Sequence, residues 1–326
     1  MLDEKKLNAI LAPYREPDLK RSVWQMVNSF VPYVVLWYLM YLSTSVGYWL
    51  TLALAIPTAG FMVRIFIIFH DCGHGSFFKS SGANNFWGMV TGFLVFTPYY
   101  EWRHAHAVHH ATAGNLDKKG TGDVWTMTTE EYRNASKGVR FGYRIYRNPL
   151  ILFTVGAMLS FLFFNRFTFS ITHKKDRLSI HLTNLAMVCI VAGLILLMGL
   201  KAFLFIQLSI LLFASSSGVW LFYLQHQFED VYWERNEKWD RVKAALEGSS
   251  FYKLPKVLQW FSGNIGFHHI HHLNPRIPNY KLEKCYRENP EFREVKPITL
   301  RAGFKSFSLR LYDEATHKMV GYPSKA

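Results

Sequence analysis

The stretch TLALAIPTAGFMVRIFIIFH, Thr51 to His70, decides the fold, because its twenty residues carry one permanent charge, Arg64. A helix needs about 20 mostly apolar residues to cross the roughly 30 Å hydrocarbon core of a bilayer. Three other runs approach that length, at 30–48, 182–200 and 203–223. Half of the 326 residues are hydrophobic, which is too many for one soluble domain. The sequence therefore predicts an all-α integral membrane protein with four transmembrane helices in two hairpins.

Two shorter apolar runs, 86–100 and 150–164, complicate this count of spans. Each has about 15 residues, which is short for a crossing. If either run crossed alone, the histidine clusters on its two sides would face opposite compartments. We therefore expect both runs to form interfacial or re-entrant helices.

Lysine and arginine are concentrated in three regions of the chain. The first 23 residues carry 5, residues 71–181 carry 13 and the residues after Gln225 carry 17, whereas the turns inside the two hairpins carry Lys201 alone. Cytoplasmic loops of membrane proteins have such an excess. We therefore predict a cytoplasmic N-terminal segment (1–29), one membrane domain (30–286) with a cytoplasmic helical cap, and a cytoplasmic tail (287–326). The N-terminus lacks the pattern of a secretory signal.

Three histidine clusters lie on the predicted cytoplasmic side of the spans, the first directly at the end of the second span. The first, HDCGH, has an HxxxH spacing, and the other two, HAVHH and HHIHH, share an HxxHH spacing that puts three imidazoles on one side of a helix. Surface histidines are the alternative for any single cluster. Random placement of 14 histidines would give one HxxHH pattern in roughly a few per cent of such chains, and two far more rarely. The clusters therefore predict metal chelation.

The number of imidazoles predicts two metal ions. His226 follows the fourth span, and with the eight histidines of the clusters it makes nine, whereas one ion accepts about four to six ligands. The cysteines, Cys72, Cys189 and Cys285, form no CxxC pair, so a thiolate site is not supported. A two-zinc hydrolase normally includes carboxylate ligands, whereas an all-nitrogen pair at a membrane face suits redox-active iron and O₂ chemistry better.

Four motifs resemble the membrane fatty acid desaturase family, whose signature is HxxxH, HxxHH and HxxHH. They are FHDCGHGSFF (69–78), WRHAHAVHHATAGNLD (102–117), QHQFEDVYWE (225–234) and GNIGFHHIHHLNPRIPNYKL (263–282), and they look most like bacterial acyl-lipid desaturases. The resemblance covers about residues 30–286. It implies a non-haem diiron oxidoreductase that uses O₂ and two electrons to place a cis double bond in an acyl chain. It also implies nine ligands: His70, His74, His106, His109, His110, His226, His268, His271 and His272.

Five other polar residues are candidates for a supporting role behind the ligands. Asp71, Glu229 and Asp230 could orient ligands through the second ring nitrogen, with solvent-facing carboxylates as the alternative. Asn264 is a candidate for holding a metal-bound water, or else it caps a helix. His104 is assigned either to this supporting group or to the surface.

Three residues near the motifs receive structural interpretations instead. His269 lies outside the HxxHH spacing and is expected at the surface. Arg64 lies in the second span, six residues before His70, and is expected to extend its charged end to the cytoplasmic interface. Cys72 is expected to be a packing residue.

The resemblance also implies a set of partners. An acyl-lipid substrate would need an apolar tunnel to the metals, lined by spans two and four and the two shorter runs. The chain has no HPGG segment, CxxC set or GxGxxG fingerprint, so a separate ferredoxin, flavodoxin or cytochrome would supply electrons. The formal net charge of +14 suits anionic lipid headgroups and could steer an acidic carrier. We expect no nucleic acid partner, and a bacterial plasma membrane as the location.

Two alternatives are open from the sequence. A diiron membrane hydroxylase or a carotenoid-modifying oxygenase would share the histidines but insert oxygen. A histidine-rich metal transporter would place ionisable ligands near the middle of the bilayer, whereas these spans are nearly free of charged and histidine residues except at their cytoplasmic ends. The position of the double bond, chain length and headgroup preference, electron donor and oligomeric state are not encoded in any motif that we identify.

Overall fold

Helices form nearly all of the regular structure in the computed structural model, which describes residues 4–168 and 173–323. Within those ranges the α-helices are α1 Glu4–Leu11, α2 Leu19–Ser43, α3 Tyr48–His74, α4 Ser81–Leu94, α5 Tyr99–Thr112, α6 Thr129–Asn134, α7 Lys137–Tyr146, α8 Gly156–Leu162, α9 Lys174–Met198, α10 Leu200–His226, α11 Arg241–Leu246, α12 Lys256–Phe261, α13 His268–Leu273, α14 Asn279–Glu288 and α15 Leu300–Gly303. The strands are β1 Phe251–Lys253, β2 Pro297–Thr299, β3 Leu311–Asp313 and β4 Lys318–Val320. β1 pairs with β2 in parallel, and β3 pairs with β4 antiparallel.

Four of the described helices, α2, α3, α9 and α10, are long and apolar enough to cross a membrane. Short turns join them into two hairpins, α2 with α3 and α9 with α10. The prediction of an all-α protein with four such helices is therefore confirmed. The helices are longer than the apolar runs, because polar turns extend them. α2, for example, begins at Leu19, where the Asp18 carboxylate accepts a hydrogen bond from the Arg21 backbone N–H.

Helix α3 lies at the centre of the fold. It packs against α2, α4, α5 and α10, and its C-terminal half is buried almost continuously from Thr58 to Gly73. Ile65 and Phe69 of α3 meet Ile206 and Ile210 of α10 in the main hydrophobic core. α9 is mostly exposed and packs chiefly against α5. The most buried span therefore carries the first histidine cluster on its last turns.

The two shorter apolar runs do not form long straight helices. The first is divided between α4 and the start of α5, and the second forms a π-helical turn, 151–155, followed by α8. The chain bends by 63° between α7 and the segment 151–166, as in a broken span or a re-entrant loop. Arg147, before this segment, is bonded to Tyr223 and Gln227 at the end of α10, and Asp176, after it, is bonded to His104 of α5. Because both ends lie on the histidine side of the spans, the arrangement favours a re-entrant path.

A cap of short elements covers the histidine end of the long helices. Its core includes Leu7 and Leu11 of α1, Ile270 of α13 and Phe292. Ile67 of α3 belongs to the same core, so the cap packs directly on the C-terminal part of that span. All six residues of α13 are buried, which places the third histidine cluster between the cap and the spans.

Candidate metal centre

The first two histidine clusters lie on helices that approach each other closely. His70 and His74 are one turn apart near the end of α3, with ring centroids 4.6 Å apart, and Gly75 ends the helix in a left-handed conformation. α5 crosses this turn, where a Cβ atom at Gly73 would lie only 2.9 Å from the Trp102 ring. Trp102 also stacks on His106, at a centroid distance of 4.3 Å. The small residue at 73 therefore allows α5 to bring its histidines to α3.

The structure brings all nine predicted histidines together. They form one group of five and one group of four, each with nitrogens within 4.8 Å of one another, and each could hold a metal ion. The first group is His70, His74, His106, His110 and His271, and the second is His109, His226, His268 and His272. The HxxHH motifs of α5 and α13 each contribute to both groups, which explains why they carry three histidines rather than two.

Nitrogen atoms converge at short distances inside each group. His226 Nε2 lies 3.1 Å from His109 Nε2 and 3.0 Å from His268 Nε2. His110 Nε2 lies 3.2 Å from His106 Nε2 and 3.0 Å from His271 Nε2. A single ring N–H can satisfy only one such neighbour. A cation between the nitrogens would satisfy all of them, so the donor set fits a metal ion.

The chemistry of the donors also fits a transition metal. Buried nitrogens without a hydrogen-bond partner in the described chain include His74 Nε2 and His272 Nε2. Imidazole ligands suit zinc, copper, iron and nickel, whereas calcium and magnesium prefer oxygen. Burial, together with the charge that neighbouring imidazoles would carry, holds the pKa values of five histidines outside the spans well below their ordinary value: His106, His110, His268, His271 and His272. These rings are therefore neutral near pH 7, the state that binds metals.

Three of the nine clustered histidines are oriented through their Nδ1 atoms. His70 Nδ1 lies 3.0 Å from Asp71 Oδ1, His109 Nδ1 lies 2.6 Å from Asp123 Oδ1, and His226 Nδ1 lies 3.2 Å from the carbonyl oxygen of Gly248. An oxygen acceptor favours the tautomer that carries its proton on Nδ1. The Nε2 lone pairs of His109 and His226 then face the cluster.

Asp123 is a site residue that the sequence analysis missed. It lies in the loop after α5, and its second oxygen accepts a hydrogen bond from the Gly120 backbone N–H at 3.1 Å. Gly122 has a φ of +75°, and a Cβ there would lie 3.1 Å from the Cβ of His109, so glycine lets the loop pack on α5. The only signal was an acidic residue in the glycine-containing stretch GTGD, and its distance from the second cluster matches no spacing rule.

The other candidates for a supporting role lie elsewhere. His104 is about half exposed and bonds Asp176 at 2.8 Å. Glu229 pairs with Lys305, and Asp230 pairs with Lys318 at 2.9 Å, both at the surface. Glu229 and Asp230 point outward because α10 ends at His226 and the chain then turns.

Asn264 lies before α13 and has a positive φ of 59°. Its side-chain oxygen accepts a hydrogen bond from Gln259, and its Nδ2 donates to the carbonyl of Asn279. Both ends of the Asn264 side-chain amide are therefore hydrogen-bonded to residues of the cap.

Two predictions about individual residues are wrong. His269 is fully buried rather than at the surface, because α13 is enclosed on all sides, and its ring packs near Phe251 and Tyr286. Burial lowers the pKa of His269 to about 3. Arg64 is also buried, with its guanidinium stacked 3.9 Å from the Trp260 ring and bonded to the Trp260 carbonyl. Cys72 is buried, as expected for a packing residue.

A cavity of about 560 Å³ lies beside the first and second groups. Its walls are mainly apolar and come from α3, α8 and α10, with residues such as Met62, Phe66, Ala157, Phe161, Leu211 and Phe222. His70, His106 and His268 also line it. Of the two shorter apolar runs, 150–164 supplies one wall, whereas 86–100 supplies Val95. An extended apolar molecule in this cavity would reach the histidines.

Comparison with known proteins gives concordant matches. Residues 46–302 match the family model described as Fatty acid desaturase. A fatty acid desaturase of Bacillus subtilis (strain 168) is 49% identical over 319 residues, which cover 98% of this chain and 91% of the relative. An sn-1 acyl-lipid omega-3 desaturase (ferredoxin) of Synechocystis sp. is 27% identical over 241 residues, covering 72% and 64%. An sn-1 oleoyl-lipid 12-desaturase of Picosynechococcus sp. is 27% identical over 250 residues, covering 73% and 69%.

Proposed function

The chain belongs to the fatty acid desaturase family, a family of oxidoreductases, and we propose that it introduces a double bond into an acyl chain of a membrane lipid at two iron ions. The observation that carries this proposal is the apolar cavity that ends at the clustered histidines. An aqueous substrate would not need such walls, whereas an acyl chain from the bilayer would bury its methylenes against them.

The nine histidines are the proposed ligands. The group of five would hold one iron and the group of four the other, since the two groups have separate sets of converging nitrogens. The smaller group leaves more of its ion open to a further ligand. Asp71, Asp123 and the Gly248 carbonyl would hold His70, His109 and His226 in the tautomers described above.

The reaction that fits this site removes two hydrogens from adjacent methylenes. With two electrons and two protons from a donor, they reduce one O₂ to two waters and leave a carbon–carbon double bond. An unactivated methylene has no acidic proton, so the bound irons would supply the oxidising chemistry that a side-chain base cannot. The protein positions the chain in the cavity, so that the methylenes beside His70, His106 and His268 are the ones oxidised.

The electron donor is a separate protein in this proposal. The name of the Synechocystis relative includes ferredoxin, which makes a ferredoxin the first donor to test, before a flavodoxin or a cytochrome. We further propose that the histidine end of the spans faces the cytoplasm of a bacterial cell. The lysine and arginine bias supports this orientation.

Orientation can be tested by labelling an introduced cysteine after the exposed Cys189 is replaced by serine, since the two other native cysteines, Cys72 and Cys285, are buried. Val46, in the turn between α2 and α3, is 77% exposed, and Lys118 is exposed in the loop after α5. An impermeant thiol reagent added to intact cells should label Val46→Cys and spare Lys118→Cys. The reverse pattern would overturn the orientation.

The function is tested by expressing the chain in a bacterial host and analysing membrane acyl chains by mass spectrometry. New double bonds should appear with the wild-type chain and disappear with His271→Ala. His104→Ala is the matched control, since this histidine lies outside both groups, and it should retain activity. A hydroxylated product would contradict desaturation, and activity in His271→Ala would contradict the ligand assignment.

A further inference from the structure

The buried carboxylate of Asp71 uses its two oxygens for two different partners. Oδ1 lies 3.0 Å from Nδ1 of His70, the ring that it orients. Oδ2 accepts two hydrogen bonds from Asn279, one from the backbone N–H at 2.7 Å and one from the side-chain Nδ2 at 2.8 Å. One residue of the cap therefore holds the carboxylate that contacts a clustered histidine of α3.

Asn279 is the first residue of α14, a helix of ten residues. The N–H groups at the start of a helix have no partner inside that helix, and the positive end of the helix dipole favours a negative charge. Asp71 supplies both the missing acceptor and the charge from α3. The Asn279 side chain adds a second charge-assisted hydrogen bond. The start of α14 is therefore built to hold a carboxylate at this position.

The amide of Asn279 is fixed in one orientation. Its side chain is buried, and an ionised carboxylate can only accept, so Nδ2 faces Asp71. The second hydrogen of Nδ2 is donated to Gln25 Oε1 of α2 at 3.1 Å. The next residue, Tyr280, has its hydroxyl 3.1 Å from Ser22 Oγ, also on α2. Contacts with both α2 and α3 therefore fix the first turn of α14.

The segment that contains Asn279 also carries the third histidine cluster, because α13 precedes α14 directly. His271 of α13 and His70 of α3 belong to the group of five, and their ring centroids are 4.6 Å apart. The last turns of α3 thus meet α13 at the histidines and α14 at Asp71. The contact between Asp71 and Asn279 consists of protein atoms alone, so it does not depend on a metal ion.

We propose that Asn279 is a positioning residue of the metal centre, which holds the Asp71 carboxylate against His70 and thereby fixes that ring within the group of five. This inference rests on the proposed function, in which the group of five binds one of the two metal ions. Asn279 acts through Asp71 and is not itself a ligand. Because α14 belongs to the cap, docking of the cap also orders the metal centre.

The test measures metal binding to the metal-free protein in the absence of O₂. Ferrous iron and zinc are titrated separately, since imidazole ligands suit both metals. Loss of a residue that orients a ligand typically lowers metal affinity by about 10- to 100-fold. Asn279→Ala leaves the backbone hydrogen bond to Asp71 in place. It should therefore weaken one site by about 10-fold, the lower end of this range, and leave the other site unchanged.

Asn289→Ala is the matched control. Asn289 follows the other end of α14, where its Nδ2 donates to Tyr14 OH at 3.1 Å and to the Cys285 carbonyl at 2.7 Å. Its loss disturbs the packing of the cap but not Asp71, so both sites should bind metal as in the wild type. The same weakening in Asn289→Ala as in Asn279→Ala would assign Asn279 to the stability of the cap and overturn the proposal.

Asn279→Asp separates hydrogen bonding from packing. It keeps the shape of the side chain, so it also serves if Asn279→Ala does not fold, but it places a second carboxylate beside Asp71 instead of a donor. It should bind metal at the affected site no more tightly than Asn279→Ala. Wild-type affinity in Asn279→Asp would show that only the shape of the side chain matters, and would overturn the proposal.

A double-mutant cycle with Asp71→Asn tests whether Asn279 acts through Asp71. In the Asp71→Asn background, Asn279→Ala should weaken the affected site by no more than about twofold further, because the carboxylate that it holds is gone. Losses that multiply, wild-type affinity in Asn279→Ala, or equal weakening of both sites would each overturn the proposal. Zinc binding needs neither O₂ nor an electron donor, so the cycle gives its result even if the chain does not desaturate lipids.

Discussion

Replacing Asp123 by asparagine tests the proposed role of a residue that no motif identifies. Asp123 Oδ1 lies 2.6 Å from Nδ1 of His109, a ring whose side chain is 1% exposed. Asparagine keeps the size and an acceptor oxygen but removes the negative charge that makes His109 a stronger donor to a metal. Loss of such a partner typically reduces metal affinity or activity by about 10- to 100-fold. That corresponds to about 1.4 to 2.8 kcal/mol.

The structure predicts that Asp123→Asn weakens the binding of only one of the two iron ions. His109 belongs to the group of four histidines, whereas no hydrogen bond joins Asp123 to the group of five in the described part of the chain. Anaerobic titration of the metal-free protein with ferrous iron, followed by measurement of bound iron, should show one site weakened by 10- to 100-fold and the other unchanged. Asp230→Asn, which alters an exposed carboxylate, is the matched control. Equal weakening of both sites, or wild-type affinity at both, would refute the reasoning.

Three further variants test other parts of the structure. Gly218→Phe should abolish desaturation or shift the position of the double bond without reducing bound iron, because Gly218 lines the cavity and a Cβ there meets no atom within 4 Å. Gly193→Phe on α9 is the control, since a Cβ at Gly193 also meets no atom within 4 Å, and acyl-chain analysis should show that it is active. Arg147→Met should lower the thermal unfolding midpoint by roughly 5–10 °C, since it removes three hydrogen bonds that a buried guanidinium donates to Tyr223, Gln227 and the Leu309 carbonyl, each contributing about 1.5–3 kcal/mol. An unchanged midpoint would contradict the bonding described, and exposed Arg301→Met is its control. Asp71→Asn should weaken iron binding at the group of five alone, the converse of Asp123→Asn. Weaker binding at the group of four in the same titration would contradict this prediction.

The sequence allowed the spans and the clustered histidines to be predicted because both follow simple periodic rules. An uninterrupted apolar run such as that in α3 has few alternatives to a membrane helix, and the HxxHH spacing fixes which side of a helix the rings occupy. The ends of the helices were harder to predict from the sequence. Hydropathy reports the apolar part of a helix, whereas capping residues such as Asp18 determine where it begins.

The contacts behind the histidines could not be predicted, because they depend on tertiary packing. Glu229 and Asp230 are near His226 in sequence but turn away from it, whereas Asp123 reaches His109 through a loop held by Gly122. His269 was assigned to the surface because it breaks the chelating spacing. Its burial follows from the cap, which encloses α13 on the sides that face away from the other clustered histidines.

The most direct test of the central claim compares double bonds formed with iron bound per chain. Metal-free protein in lipid nanodiscs is loaded with increasing ferrous iron, supplied with ferredoxin, a reductant and O₂, and its acyl chains are analysed by mass spectrometry. If desaturation requires both histidine groups, products should be negligible while one iron is bound and should increase as the second binds. Full activity with one iron per chain, or with zinc in place of iron, would contradict the account.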